Sequence, residues 1–587
     1  MHIDDTRRRF LAHFAAAGLG STLAPGIVWA RLQDASTDRV TLQMVTDALR
    51  LSGIELSEDD RTALVDGANT SLERLEELRA VHIPNDVSPP FHFSPVVSGM
   101  VVDRARQPWV MSKAPSVKRP ASLEAVAFWP LCHLAELVRS KHVTSTELTR
   151  MYLDRLHRHN AVLNNVVTFL DEHGLAEAAA ADTEIAAGRY KGPLHGIPWG
   201  VKDIITVKGF KTTWGSAAFE EQALDYDASI VEMLRAAGAV LIAKLATGEL
   251  AGGDNWFRGQ TRSPWDPTQG SSGSSAGPAS ATAAGGVAFA IGSETSGSIL
   301  SPAGRCGVVG LRPTFGRISR HGAMALSWTQ DRLGPFCRYA EDAALVMQAI
   351  AKPDGRDMSV SDLPFNWNAG LDVRTLKVGI LQASFDELTE PAAKANAAAT
   401  LEALKALGVK QFLPVPVPEF PLDVSAIGVE SAAFFDEHQR AGRMAKVSRN
   451  RARPAGRLTS AVDFIQAQRA RMMMMEALAK ATAHVDVYVV ASNSIGKGGP
   501  GGPPPPRAPG TPRPPRPPQL PGQRHFGMAN LACYPAVNVP NGFAEGGTPT
   551  SIVFYGQPYR ELPLLALAKA YQDRARWHER TPAAAGV

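Results

Sequence analysis

Residues Thr268 to Gly316 read TQGSSGSSAGPASATAAGGVAFAIGSETSGSILSPAGRCGVVGLRPTFG. Serine, glycine and alanine dominate, and charge is nearly absent. Flexible linkers share that composition, but they do not carry AAGGVAFAIG, an apolar run with few breaks. Small residues in an apolar frame let backbones approach closely and leave peptide N–H groups free to meet a ligand. The stretch is therefore read as a packed active-site segment rather than a linker.

Two elements stand out within it: the loop GSSAGPASA from Gly273, and GSETSGSI from Gly292 to Ile299. Upstream, LHGIPWGVKDIITVKG places Lys202 before Asp203. In this order the three elements resemble the amidase signature family. That pattern has a GVKD-like turn, a GGSSGGS-like loop, an apolar run, and a G-[ST]-[DE]-T-x-G-S-I element carrying a nucleophilic serine. The resemblance implies a serine–cis-serine–lysine triad, with Ser298 as nucleophile, Ser274 as cis-serine and Lys202 as base. Ser271 and Ser272 form another serine pair, too far upstream for the spacing. The resemblance continues through CGVVGLRPTFGRISRHG and NLACYPAVNVPNGF, covering Ser122 to Pro582 with one interruption. It implies a mixed β-sheet flanked by α-helices, an α/β fold, and amide hydrolysis without metal or cofactor.

The chemistry explains these residue types. A serine hydroxyl is a poor nucleophile until a base takes its proton. A lysine can be that base only when neutral, which requires burial to lower its pKa. Lys202 sits in the apolar setting IPWGVKDII. Ser274 would relay the proton, and water would hydrolyse the acyl-enzyme on Ser298. An oxyanion needs fixed donors. The small residues Thr295, Ser296 and Gly297 leave their peptide N–H groups, with that of Ser298, free to form such a hole. Two positions depart from the commonest family pattern. Ser296-Gly297 replaces a glycine pair, and Leu300 stands where arginine is common.

The chain has 587 residues, 44% hydrophobic and 20% charged, with a net charge of +4. That suits a large soluble catalytic domain with an extension and gives no reason to expect a nucleic-acid partner. Four cysteines (Cys132, Cys306, Cys337, Cys533) lack CxxC spacing. They are read as buried thiols, not as a zinc site or disulfide framework.

The amino terminus suggests export. Thr6-Arg7-Arg8-Arg9-Phe10-Leu11 fits a twin-arginine motif, a weakly apolar region follows, and Val28-Trp29-Ala30 offers a cleavage site. The expected domains are a signal peptide over 1–30, a helical extension and linker over 31–120, and a catalytic domain over 121–587. A periplasmic or secreted enzyme without an integral span after signal removal follows. In the extension, Ser57 and Asp59 read as caps of an amphipathic helix. The extension could serve packing, a lid or a homodimer contact.

Thr144 to Glu147 spells a capping box opening a helix. Strands are expected at Asn164–Leu170, Ala239–Lys244, Val378–Leu381, Val485–Ala491 and Ala536–Val539. Helices are expected at Asp227–Ala237, Leu401–Ala406, around Phe434, and at Asp463–Ala479, where Met472 to Met475 line core or pocket walls. Residues 498–521 are proline-rich and read as a disordered insertion.

Competing readings remain. Gly273 to Gly277 also spells GxSxG, which would make Ser275 the nucleophile of an esterase, with His525 or His578 as base. That elbow needs a preceding strand, and SPWDPTQGSS is turn material. Ser494 to Lys497 spells SxxK but has no partner motifs. A glutaminase-like component of a tRNA amidotransferase would share the core motifs, but an export signal argues against it. A non-catalytic binding protein of the same fold would have lost Lys202, Ser274 or Ser298. The favoured reading is an exported amidase acting on a small-molecule linear amide.

Overall fold

The computed structural model describes residues 40–51, 53–79, 81, 93–113, 116–420, 427–448, 456–492 and 519–583. The export motif, the linker over 82–92, the Ser494 motif and the proline-rich run through residue 518 lie outside the described residues.

Short runs of β-branched residues alternate with amphipathic stretches, and that pattern produces a layered α/β architecture. The strands are β1 (Val166–Phe169), β2 (Pro198–Lys202), β3 (Val240–Leu245), β4 (Asn255–Trp256), β5 (Gly259–Gln260), β6 (Phe289–Glu294), β7 (Val309–Arg312), β8 (Arg332–Cys337), β9 (Val378–Ile380), β10 (Leu413–Pro414), β11 (Val487–Ala491), β12 (Ala536–Phe543) and β13 (Pro549–Gly556). β4 and β5 pair with each other. The other eleven form one mixed sheet in the order β1-β3-β2-β6-β8-β7-β12-β13-β11-β9-β10. β3, β2 and β6 are parallel neighbours, with β1 and β8 antiparallel on either side. All residues of these three parallel strands are buried, as expected where a sheet is covered on both faces.

The helices follow local signals closely. The capping box forms: Glu147 N donates to Thr144 Oγ1 and Thr144 N donates to Glu147 Oε2. The helix Ser145–Leu163 then runs to a left-handed Asn164. Asp60 N donates to Ser57 Oγ at the start of the helix Glu58–Arg79, which packs on Leu42–Leu51 around Val45, Leu49 and Leu64. The helix expected at Leu401 instead begins at Pro391, a residue suited to the first turn. Its first half is alanine-rich, so it favours helix while lacking an apolar stripe.

The largest core joins β2, β3, β6, β7 and β12 to the helices Ser145–Leu163 and Glu561–Ala575. A second core gathers around the helix Ala461–Thr482, where Met474 and Met475 are buried. The four cysteines are free. Among the described residues no helix is long and apolar enough to cross a membrane.

The helix Ala276–Ala283 lies so close to the chain after β3 that a Cβ on Gly277 would sit 2.3 Å from Ala246 N and 2.5 Å from Asn165 O. Both are backbone atoms and cannot swing aside. Gly277→Ala is therefore expected to destabilise the fold by about 1–3 kcal/mol, read as a lower urea midpoint. An unchanged midpoint would show that the helix can shift away.

Candidate active site

Lys202 is the last residue of β2, and Val201 sits opposite Ile291 of β6 in parallel register. Lys202 and the Gly292-Ser293 pair therefore emerge together at the carboxyl ends of two adjacent parallel strands, where open α/β sheets commonly place their sites. The third piece is the loop before the helix Ala276–Ala283, in which the Gly273–Ser274 peptide is cis.

These pieces converge on one buried amine. Lys202 Nζ lies 2.8 Å from Ser274 Oγ, 2.9 Å from Ser293 Oγ and 3.1 Å from Ser275 Oγ. Lys202, Ser274 and Ser275 are fully buried. Burial pushes the Lys202 amine down to about 7, although the charges of Asp331 and Glu294 pull it back up. Near neutral pH a large fraction is therefore unprotonated, the form that can accept a proton.

Ser275 is committed elsewhere. Its hydroxyl donates to Ser293 O at 3.0 Å and accepts from Ser293 N at 3.1 Å. No strand precedes it, and it forms the N-cap of the following helix. His525 is buried 2.9 Å from the Tyr488 hydroxyl, and His578 packs against Tyr339. Neither histidine is hydrogen-bonded to Ser275 among the described residues.

Ser298 occupies the turn between β6 and the helix Leu300–Cys306, half-buried, with its carbonyl accepting from Ser275 N at 3.2 Å. Gly297 before it has φ 82°, and a Cβ there would lie 2.9 Å from the Phe526 ring, so glycine suits this position on both counts. The peptide N–H groups of Ser296, Gly297 and Ser298 find no acceptor among the described residues. No hydrogen bond joins the Ser274 and Ser298 hydroxyls. Such contacts often tighten only once substrate is bound. Leu300 is fully buried and belongs to the second core.

Sequence reasoning missed what holds this turn. Glu294 Oε2 accepts from Ile299 N at 2.8 Å and Leu300 N at 3.0 Å. Its other oxygen accepts from Arg312 Nη1 at 2.9 Å, and both side chains are fully buried. Burial alone would raise the Glu294 pKa, but Arg312 and Arg332 hold it below the usual carboxylate range. Arg312 also donates to Asn530 Oδ1 and, through Nε and Nη2, to Tyr534 O. The NLACYPAV stretch is thereby tied to the Ser298 turn. The acid in GSETSGSI and the arginine in GLRPT were visible, but nothing in their spacing paired them.

Asp331 was missed too. It accepts from Thr295 Oγ1 at 2.5 Å and from Leu326 N and Ser327 N. Burial raises its pKa despite those donors. It joins the segment before Ser298 to the loop over 324–331, which walls a cavity of about 260 Å³ beside Ser293 and Thr295. Ile204, Met324, Leu326, Trp328 and Phe434 give that cavity apolar walls, and Arg320, Asp331, Arg356 and Asp357 add charge to its lining. Among the described residues no group of acidic, histidine or cysteine side chains is arranged to hold a metal ion.

Glu294→Gln keeps the shape of the side chain but leaves Arg312 buried without its counter-charge. A loss of about 3 kcal/mol or more in stability is expected, measured by chemical denaturation. Equal stability would mean that Asn530 and Tyr534 O alone satisfy Arg312.

Comparison with known proteins agrees with the geometry. Residues 147–565 match the protein family described as Amidase. The putative amidase AmiD of Mycobacterium tuberculosis is 34% identical, over 78% of this chain and 97% of the relative. The A-type component of the glutamyl-tRNA(Gln) amidotransferase of Methylococcus capsulatus is 32% identical, over 77% of this chain and 98% of the relative. The native peptide amidase from Stenotrophomonas maltophilia shares the fold with a TM-score of 0.64 at 28% identity, over 78% of this chain and 99% of that one. The mixed sheet, the ordered motifs and these similarities together make the chain a member of the amidase signature family, a hydrolase of carbon–nitrogen bonds.

Proposed function

We propose that the protein is an exported amidase that hydrolyses a linear carboxamide to a carboxylic acid and ammonia or an amine, through an acyl-enzyme on Ser298. The observation that carries this reading is the buried Lys202 amine, held by three serine hydroxyls beside the Ser298 turn.

Hydrogen-bond accounting gives the relay its direction. The Ser275 hydroxyl hydrogen is spent on Ser293 O, so Ser275 Oγ accepts from Lys202. A neutral amine has two N–H groups and one lone pair. In this reading Ser275 and Ser293 take the two N–H groups, which leaves the lone pair for the Ser274 hydroxyl. Ser274 then passes its proton to Lys202 Nζ while taking the Ser298 proton, as Ser298 Oγ bonds to the amide carbon. The free N–H groups at 296–298 receive the oxyanion. The returning proton leaves with the amine, and water, activated by the same relay, cleaves the ester and restores Ser298. These steps need no metal or cofactor.

The relatives supply the rival substrate classes. Likeness to the peptide amidase favours a C-terminal carboxamide, whereas likeness to the amidotransferase component favours glutamine within a cytoplasmic assembly. The sequence Thr6 to Leu11 supports export and so the first class. The esterase reading through Ser275 has the weaker support, because that hydroxyl is already committed.

The test is turnover of an amide and ester panel, including glutamine and a peptide amide, by the full chain. Ser298→Ala and Lys202→Ala are each expected to lower kcat/KM by about 10³-fold or more. Activity surviving Ser298→Ala but lost in Ser275→Ala would move the nucleophile. Glutamine as the sole good substrate would favour the amidotransferase class. In the pH profile, the working form of Lys202 is the neutral one. Activity should therefore fall as pH drops through about 7 and level off above it. A profile flat from about pH 5 to about pH 9 would remove Lys202 as the base.

A further inference from the structure

Phe93 lies outside the part of the chain that matches the amidase family, which begins at residue 147. It is nevertheless buried within the second core, together with Leu78, Val97 and Phe315. One arginine packs on its ring, and a second packs on the ring of its neighbour Phe315. The Arg471 guanidinium lies 4.1 Å from the Phe93 ring centroid. The edge-to-face partner of Phe93 is Phe315, at 5.0 Å, and Arg320 lies over the Phe315 ring at 4.7 Å.

Both arginines reach the same short loop. Arg320 Nη1 donates to Trp328 O at 2.6 Å. Arg471 donates to the next carbonyl, Thr329 O, at 2.9 Å, and to Thr329 Oγ1 at 2.7 Å. Thr329 Oγ1 passes a hydrogen bond on to Glu430 Oε1 at 2.7 Å, so the Arg471 charge meets its carboxylate through a hydroxyl. Arg471 is fully buried, and it also donates to Leu531 O through Nε and Nη2, with Cys533 Sγ 4.0 Å from Nη2. A guanidinium buried without a direct carboxylate depends on everything that faces it. The loop it grips carries Trp328 and Asp331, which line the cavity beside the nucleophile segment.

We propose that the segment before the family domain is a working part of the enzyme: Phe93, seated against Arg471 and Phe315, positions the Trp328–Asp331 wall of the substrate cavity. Phe93 and Arg471 are positioning residues and do not touch the reacting atoms. The mechanical coupling stands on contacts alone. Its consequence for substrate binding rests on the proposed function and on this cavity being the substrate pocket.

The experiment is hydrogen exchange by mass spectrometry on the full chain, comparing wild type with Phe93→Ala, Phe93→Leu and Phe93→Tyr. The amides of Thr329, Gln330 and Asp331 are bonded within the loop or to Glu430, so their exchange reports loop opening. Phe93→Ala should speed exchange in peptides covering 324–331 about tenfold, with β2 and β6 unchanged. Phe93→Tyr, which keeps the ring face, should behave as wild type. Phe93→Leu should fall between them, and it replaces the alanine variant if that one does not fold. Unchanged exchange at 324–331, or acceleration spread equally over β2 and β6, would overturn the coupling. With phenylacetamide as the kinetic probe, Phe93→Ala should raise KM about fivefold and leave kcat within about twofold. Trp328→Ala separates the two layers. If it leaves KM unchanged, the pocket reading and its kinetic consequence fall, while the exchange result still decides the coupling.

Discussion

A primary amine buried away from water must either keep a counter-charge or give up its proton. At Lys202 the neighbours within hydrogen-bond reach are hydroxyls, and the carboxylates of Asp331 and Glu294 act only as charges beyond them. The rest of the site is arranged to keep that condition. β3, β2 and β6 run parallel and are buried along their whole length, so the end of β2 opens into protein rather than solvent. The Ser274 loop and the end of β6 close over it with small polar groups that can accept from the amine without neutralising it.

The turn that carries Ser298 depends on the opposite solution. There a full charge pair, Glu294 with Arg312, is buried and saturated with hydrogen bonds. Glu294 holds the peptide N–H groups that follow Ser298, while Arg312 anchors to Asn530 and the carbonyl of Tyr534. A buried pair adds little to net stability compared with apolar packing, yet losing one partner is costly. Such a pair therefore suits a role in fixing geometry. The adjacent Asp203–Lys244 pair, also fully buried, ties the residue after Lys202 to β3 in the same way. Lys202 and the turn at Ser298 are thus each flanked by a buried ion pair that fixes the neighbouring backbone.

Much of this was legible along the chain. The capping box at Thr144, the buried strand at Ala239–Lys244 and the three site motifs are local patterns whose physics acts over a few residues. Readings weakened where the signal was composition rather than period, as in the alanine-rich start of the helix Pro391–Ala406. In the site, Lys202, Ser274 and Ser298 were named through the resemblance to the family's motifs, and the fold brings Lys202 and Ser274 into contact. Ser293, Glu294 and Asp331 were not, because a serine or carboxylate in a polar loop reads the same whether it faces water or a buried partner.

Chemical identity was therefore carried by the linear order of residues: a lysine in an apolar turn, a serine loop, and a serine after small residues. Those features follow from steric freedom and backbone propensity, which neighbouring residues set among themselves. Which serine faces the amine, which hydroxyl is already spent, and which arginine neutralises Glu294 follow from strand register and burial. These bring together residues far apart in the chain and remove the water that would otherwise make each interaction weak. The seat of Phe93 against the distant Arg471 and Phe315 is of the same kind: no spacing announces it, and only packing creates it.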